Sequence, residues 1–288
     1  MSKVRIVTDS NVWMPPDVIE KHQIQVIPHQ LKVGDDICLE DAEFTCDELF
    51  DRLTSSDPID KTYLPSIRPI DISQMLTYYQ ELGSDASSIV SIHMSSELSP
   101  MWADARRASE ILKGRQTIRV IDSMSTSFGL GVLVQKAAEA AEAGANINEI
   151  ARIINGAVPH LYFTSFVESL NYLERSEQIS ASQNLLGTLL GIKGMLIMEE
   201  GILQPLEKVQ TFEEVVEKLY EFVVEFASVE AVGIIEHQYA PVADSLIERL
   251  NEDSRLSQVA IHRINYSPSL AVHLGPKMLG VLVYEGEF

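Results

Sequence analysis

The chain has 288 residues, a formal net charge of −20 and 45% hydrophobic residues. That length exceeds one ordinary domain and suits two, and the apolar share can build packed cores rather than a disordered chain. The acidity repels phosphate backbones and anionic leaflets, which argues against nucleic acid as a partner and against direct membrane docking. No window is apolar for long enough to span a bilayer, so no stable membrane insertion is expected. Met1-Ser2-Lys3-Val4 runs straight into a strand-like segment, so a cytoplasmic location is expected. Cys38 and Cys46 lack the CxxC spacing and read as reduced thiols, neither a disulfide framework nor a zinc site.

In chain order, Val4-Arg5-Ile6-Val7 predicts a strand ending at Thr8-Asp9-Ser10, and Pro15-Pro16 suits a helix start. Gln25-Val26-Ile27 reads as a second strand, and Thr45-Cys46-Asp47-Glu48 matches a capping box ahead of Leu49 and Leu53. Helical stretches are expected from Ile70 to Leu82, from Met101 to Lys113 and from about Leu130 to Ala143. Strands fall between them at Ser88 to His93 and Ile118 to Asp122. Strands separated by helices of this size indicate βαβ units and a mostly parallel sheet. Ligands of such sheets sit beyond the carboxyl ends of the strands. Thr8-Asp9-Ser10, Ser95-Ser96 and Asp122-Ser123 all fall there, so successive strands bring Ser, Thr and Asp to one edge.

Asn148 to Ala157 is a helix expected to close a first domain, residues 1–158, leaving 159–288 as the second. The second half opens with Leu161-Tyr162-Phe163, followed by a helix-like Val167 to Arg175 and an apolar stretch from Leu185 to Ile192. Met195 to Met198, the turn Glu199-Glu200-Gly201 and Ile202-Leu203 read as a hairpin. Helices at Glu213 to Phe226 and Val242 to Leu250 alternate with strands at Ala231 to Glu236, Val259 to Ile264 and Leu279 to Tyr284.

Several chemistries can be weighed against these residues. No G-x-S-x-G elbow is present, and the serines of Ser95-Ser96-Glu97-Leu98-Ser99 have no base beside them in sequence, though His273 could meet them in space. The histidines at 22, 29, 93, 160, 237, 262 and 273 form no HxxxH or HxH pair, so no metal is expected. Phosphate-cradling glycine motifs are missing, and Asp9 lacks the second aspartate of a phosphatase motif, reading instead as a turn former. His273-Leu274-Gly275-Pro276 breaks regular structure just before a final strand. Its histidine could donate to an anion or bond its own loop.

Taken together, the motifs resemble those of the DegV family of bacterial fatty-acid-binding proteins, in order and spacing over nearly the whole chain. They are Ile6-Val7-Thr8-Asp9-Ser10, Val26-Ile27-Pro28, Thr62 with Pro65-Ser66, and Ser91-Ile92-His93-Met94-Ser95-Ser96-Glu97-Leu98-Ser99. Val120-Ile121-Asp122-Ser123, Ser127-Phe128-Gly129-Leu130-Gly131, Leu186-Gly187-Thr188-Leu189-Leu190-Gly191-Ile192-Lys193 and His273-x-Gly275-Pro276 with Gly280 complete the set. The resemblance implies an α/β fold of two domains, the first with a mostly parallel sheet flanked by helices, the second an α/β domain contributing a lipid tunnel and a histidine loop. It implies a carrier that is not itself an enzyme, needs no cofactor, buries a long-chain fatty acid and presents its carboxylate to a fatty acid kinase, the ATP-binding subunit.

By the same resemblance the carboxylate would be held by Thr62, Ser99 and His273, with Ser95, Ser96 and Gln178 as second-rank candidates. Tunnel walls would include Leu186, Leu189, Leu190, Ile192 and Met195, each of which could equally be ordinary core. The sequence departs from the family pattern at Pro100, at Ser176-Glu177-Gln178, at Gln210 and at Lys277. With the usual arginine missing, protonated His273 is the expected positive charge, and binding is expected to weaken as pH rises through its titration. The alternatives are an esterase using Ser99 with His273, a phosphotransfer protein, or a carrier of another amphiphile uncoupled from a kinase.

Overall fold

The structure is a computed structural model that describes residues 4–41, 43–54, 65–83, 88–176, 178 and 193–286. The chain divides into two compact units, Met1–Pro159 and His160–Phe288.

The first unit is built on a parallel sheet of four strands. They are β1 (Val4–Asp9), β2 (Gln25–Ile27), β6 (Ser88–His93) and β7 (Thr117–Asp122), in the order β2-β1-β6-β7. All three pairings are parallel, and the register sets Val7 beside Ser91 and His93 beside Asp122. Alternation along β1 and β6 sends Val7 and Ile89 to one face, where they pack with Met75 and Tyr79 of the helix Ile72–Gly83 and with Met101, Ala105 and Ala108 of the helix Met101–Ile111. The helices Ser127–Glu142 and Ile147–Ala157 contact the same sheet. The second of them starts on a complete capping box, with Asn146 accepting from the amides of Asn148 and Glu149 and Glu149 reaching back to the Asn146 amide. Thr45 caps only in part. Its hydroxyl accepts from the Glu48 amide, but the Glu48 carboxylate turns to Arg52 at 2.6 Å.

A small antiparallel sheet, absent from the sequence reading, lies beside this one. Its strands are β3 (Gln30–Val33), β4 (Asp36–Leu39) and β5 (Ser66–Arg68) in the order β4-β3-β5. Gly34, at φ 63°, makes the tight turn of the β3–β4 hairpin. That hairpin pairs Gln30 with Leu39, and one step further out the Glu40 amide bonds the His29 carbonyl at 2.9 Å. Hairpin register therefore fixes Glu40 beside His29.

The second unit holds a six-stranded sheet in the order β10-β9-β8-β13-β11-β12. Its strands are β8 (Leu161–Val167), β9 (Lys193–Glu199), β10 (Ile202–Val209), β11 (Val229–His237), β12 (Ala260–Ile264) and β13 (Met278–Glu285). Only β11 and β12 run parallel. The β9–β10 turn places Glu200 at φ 50° and Gly201 at φ 82°, the positive pair that a two-residue hairpin requires. Helices Phe212–Val224 and Ala240–Glu252 cover one face through Val215, Leu219, Val223, Ala243, Leu246 and Leu250.

Two expected elements change here. The stretch expected to be helical from Val167 continues as β8, because Val167 pairs with Met278 of the long central strand β13, and helix is confined to Asn171–Arg175. The segment expected to be a histidine loop is a short helix, Pro268–Leu274, with His273 in its last turn. Ser267 caps its start and Pro268 occupies the first turn, a start signal that the sequence carried in full view.

Candidate functional site

The carboxyl edge of the parallel sheet is a dense polar network. Asp9, the last residue of β1, is fully buried. One of its oxygens accepts from the Asn11 amide at 3.2 Å, and the other accepts from the Met94 amide at 2.9 Å and from His93 Nδ1 at 3.2 Å. Ser91 and His93 stand two residues apart and so share a face, and His93 Nε2 meets Ser91 Oγ at 2.7 Å. The Tyr79 hydroxyl donates to Ser91 Oγ at 2.9 Å, completing an Asp9–His93–Ser91–Tyr79 chain. Burial pushes the Asp9 carboxyl up, but the charge of His29, the bond from His93 and the Met94 amide outweigh it and hold the group below its ordinary value.

Neighbouring loops are tied to this edge by backbone donors. Asn11 Oδ1 accepts from Thr126 Oγ1 at 2.8 Å and from the Ser127 amide at 2.7 Å, which fixes the start of the helix Ser127–Glu142 against the β1 loop. Gly131 permits that approach, since a Cβ there would lie 1.9 Å from the Trp13 carbonyl oxygen. Asp122 accepts from the amides of Ser96 and Met124, and the Ser95 amide donates to the Ser125 carbonyl.

A second chain of contacts meets the same loop. His29 follows β2 and is fully buried, and its Nε2 lies 2.9 Å from Ser99 Oγ. Its Nδ1 lies 3.1 Å from Glu40 Oε2 and 3.1 Å from Ser10 Oγ. Ser10 donates its hydroxyl proton to Glu40 at 2.5 Å and accepts the His29 amide at 2.9 Å. Ser99 Oγ also accepts from the Met101 amide at 3.2 Å. Burial opposes charge on His29, yet Asp9 and Glu40 together raise its pKa above the ordinary value. Cys46 stands close enough to Glu40 for that carboxylate to act on its thiol, which burial first, then Glu40 and Asp47, push upward and away from reactivity.

Ser99, His29 and Glu40 thus have the serine–histidine–acid order of a hydrolase relay. The sequence raised Ser99 with His273, and within the first unit the imidazole beside Ser99 is that of His29. Burial opposes the charged ring, while Asp9 and Glu40 favour it and leave its pKa raised. The Ser99 hydroxyl is thus held between the His29 ring and the Met101 amide.

Of the residues singled out from the sequence, Ser95, Ser96 and Ser99 share the loop after β6. Ser95 Oγ accepts the Glu97 amide, and the Ser95 carbonyl accepts the amides of Leu98 and Ser99. In the second unit His273 is buried within its short helix. Gly275 beyond it has φ 80°, and a Cβ there would meet the Tyr172 ring at 2.6 Å. Tyr266 donates to the Gly275 carbonyl at 2.8 Å, and His237 Nδ1 bonds the Pro276 carbonyl. Lys277 pairs with Glu168 at 2.7 Å. Gln178 is held by its amide to the Leu173 carbonyl at 2.8 Å, and its side-chain oxygen accepts from the Leu203 amide at 3.4 Å. Met195 is buried in β9 and packs in the second unit's core with Phe166, Val209 and Leu279. Thr62, Leu186, Leu189, Leu190 and Ile192 lie outside the described residues. His29, Glu40, His93 and Tyr79 are members of this network that sequence reasoning did not single out for a site. The Ser91-x-His93 spacing on one strand was the one local signal for any of them.

The family model described as "Uncharacterised protein, DegV family" matches residues 3–286. The chain belongs to the DegV family. A DegV domain-containing protein of Streptomyces coelicolor is 32% identical over 285 residues, covering 97% of this chain and 98% of the relative. Among solved structures, a fatty acid binding DegV family protein from Streptococcus agalactiae superposes with a TM-score of 0.86 at 21% identity, covering 100% of both chains. DegV of Bacillus subtilis, described as a fatty acid binding protein, gives a TM-score of 0.83 at 23% identity over 99% of this chain and 100% of its own. The DegV fold, with its helix-flanked parallel sheet and second sheet unit, is therefore that of this chain from end to end.

Proposed function

We propose that this chain is a non-catalytic carrier that buries the tail of a long-chain fatty acid and presents its carboxylate to a fatty acid kinase. The observation that carries this reading is the end-to-end likeness to DegV proteins whose descriptions state fatty acid binding. The carboxylate would be held by hydroxyls of Thr62 and Ser99 and by the His273 imidazole, with Ser95, Ser96 and Gln178 as second-rank contacts. Leu186, Leu189, Leu190, Ile192 and Met195 would line the tail. Burial of each methylene contributes about 0.8 kcal/mol, so a long acyl chain gains on the order of 10 kcal/mol before the costs of association. The tail therefore sets affinity, and the polar groups set depth and orientation. A desolvated carboxylate costs several kcal/mol unless donors meet it, which is the chemical reason for hydroxyls and an imidazole at the head.

Native mass spectrometry of the chain as expressed, followed by lipid extraction, tests the reading. A stoichiometric fatty acid is expected, and addition of a fatty acid kinase's ATP-binding subunit with ATP should convert it to acyl phosphate. A protein that neither carries nor takes up fatty acid, or one that turns over acyl esters until Ser99→Ala stops it, would overturn the proposal.

A further inference from the structure

The Ser99 hydroxyl has one proton and two lone pairs, and the orientation of that proton is decided by its neighbours. The Met101 amide, 3.2 Å away, can only donate. His29 Nε2, 2.9 Å away, donates if the ring is cationic and accepts if the proton sits on Nδ1 alone. Nδ1 keeps its proton in either state, because Glu40 is an acceptor and Ser10 has already given its own proton to Glu40. A cationic His29 therefore fills the second lone pair of Ser99 and leaves the hydroxyl proton to point away from both donors. A neutral His29 draws that proton inward.

We propose that His29 is a positioning residue for the ligand: by donating to Ser99 Oγ beside the Met101 amide, it turns the Ser99 proton outward as a dedicated donor to a carboxylate oxygen. The proposal rests on the reading of Ser99 as a carboxylate contact. The charged and titratable groups facing His29 are Glu40 from the end of β4 and Asp9 from the end of β1, with His93 beyond Asp9 and Cys46 beyond Glu40. Both carboxylates favour the cationic ring. An arriving anion does so again through the polarised hydroxyl, so ligand and proton bind His29 and Ser99 with positive coupling. Coupling is reciprocal, and bound fatty acid must raise the proton affinity of His29 by the factor by which protonation raises affinity for the acid.

The test uses the full chain and palmitate, kept below the concentration at which the free acid aggregates, between pH 6 and 9.5, where the ligand stays ionised. Wild-type affinity should fall about tenfold as His29 deprotonates, the ratio expected when one hydrogen bond to a charged group is lost. His29→Phe should bind with a flat profile. Glu40→Gln keeps the ring and should move the fall to lower pH, so it decides the matter even if His29→Phe does not fold. The carbon-bound ring protons of His29, followed by NMR, should titrate at higher pH with palmitate bound. Binding with a flat wild-type profile overturns this proposal alone, as does a fall that persists in His29→Phe, which would assign the titration to another group such as His273. Absence of palmitate binding at every pH overturns the carrier reading and this proposal with it.

Discussion

Asp9→Asn separates the charge of the sheet-edge carboxylate from its shape. The wild-type oxygens receive the amides of Asn11 and Met94 and the ring nitrogen of His93, all without solvent. An asparagine with its carbonyl toward Met94 and His93 turns its own amide against the Asn11 amide, and the opposite rotamer opposes two donors. Every orientation therefore loses at least one bond and removes a buried negative charge that faces two histidines. Breaking a buried pair from one side costs about 3–5 kcal/mol, a range that includes the charge-assisted bonds. Both tryptophans, Trp13 and Trp102, lie in the first unit, so their fluorescence in urea reports on the unit that contains Asp9. With a denaturant slope of about 2 kcal/mol/M, the midpoint should fall by roughly 1.5–2.5 M.

Acid adds a second readout. The folded Asp9 carboxyl lies below its ordinary value of 3.8, so its contribution is present above that pH and is lost as pH falls through the folded value. The variant has no such group to protonate, and the gap between the two proteins should narrow on acidification. A midpoint change under about 0.5 M near neutral pH, or a gap that widens in acid, would refute the account of Asp9 as the charged centre of this edge.

Gly131→Ala drives a methyl into the Trp13 carbonyl and should destabilise by about 1–3 kcal/mol or more, whereas Gly156→Ala meets nothing within 4 Å at an exposed helical position and should stabilise by about 0.5–1 kcal/mol. Opposite shifts in the urea midpoint are the check. Because burial alone would lower the His29 pKa but Asp9 and Glu40 raise it above 6.5, its contribution is complete below that pH and is lost as pH rises through the folded value. The ligand-free protein should lose stability on the alkaline side, and a midpoint constant from pH 6.5 to 9.5 would contradict this.

The parallel sheet was legible because its short β-rich runs alternate with amphipathic helices, and Ile89, Val90 and Ile92 mark a strand buried on both faces. The gathering of Thr8-Asp9-Ser10, Ser95-Ser96 and Asp122-Ser123 at one edge followed from that order of strands and helices. The small sheet was not legible, since its strands of three or four residues, such as the largely exposed Ser66–Arg68, lack the apolar run that marked the equally short Gln25–Ile27. Val167 was misread as helical because its pairing with Met278 is set by residues more than a hundred positions away. His29, Glu40 and Ser99 were invisible as a group for a related reason. Nothing local links positions 29, 40 and 99, and their meeting depends on the β3–β4 register and on where the β6 loop returns.

The network also bears on how an acidic protein can hold an anion. The chain's net charge is −20, and even the immediate surroundings of His29 carry two carboxylates, Asp9 and Glu40. Local net charge is therefore a poor candidate for the attraction. Oriented dipoles are a better one, because a hydroxyl whose lone pairs are both occupied can only donate, and it costs no reorganisation when the ligand arrives. On that view the two carboxylates do not repel the ligand so much as hold the imidazolium that aims the hydroxyl. The buried position of Ser99, His29 and Glu40 keeps this arrangement out of reach of mobile counter-ions, so salt that screens the surface charge should leave it intact.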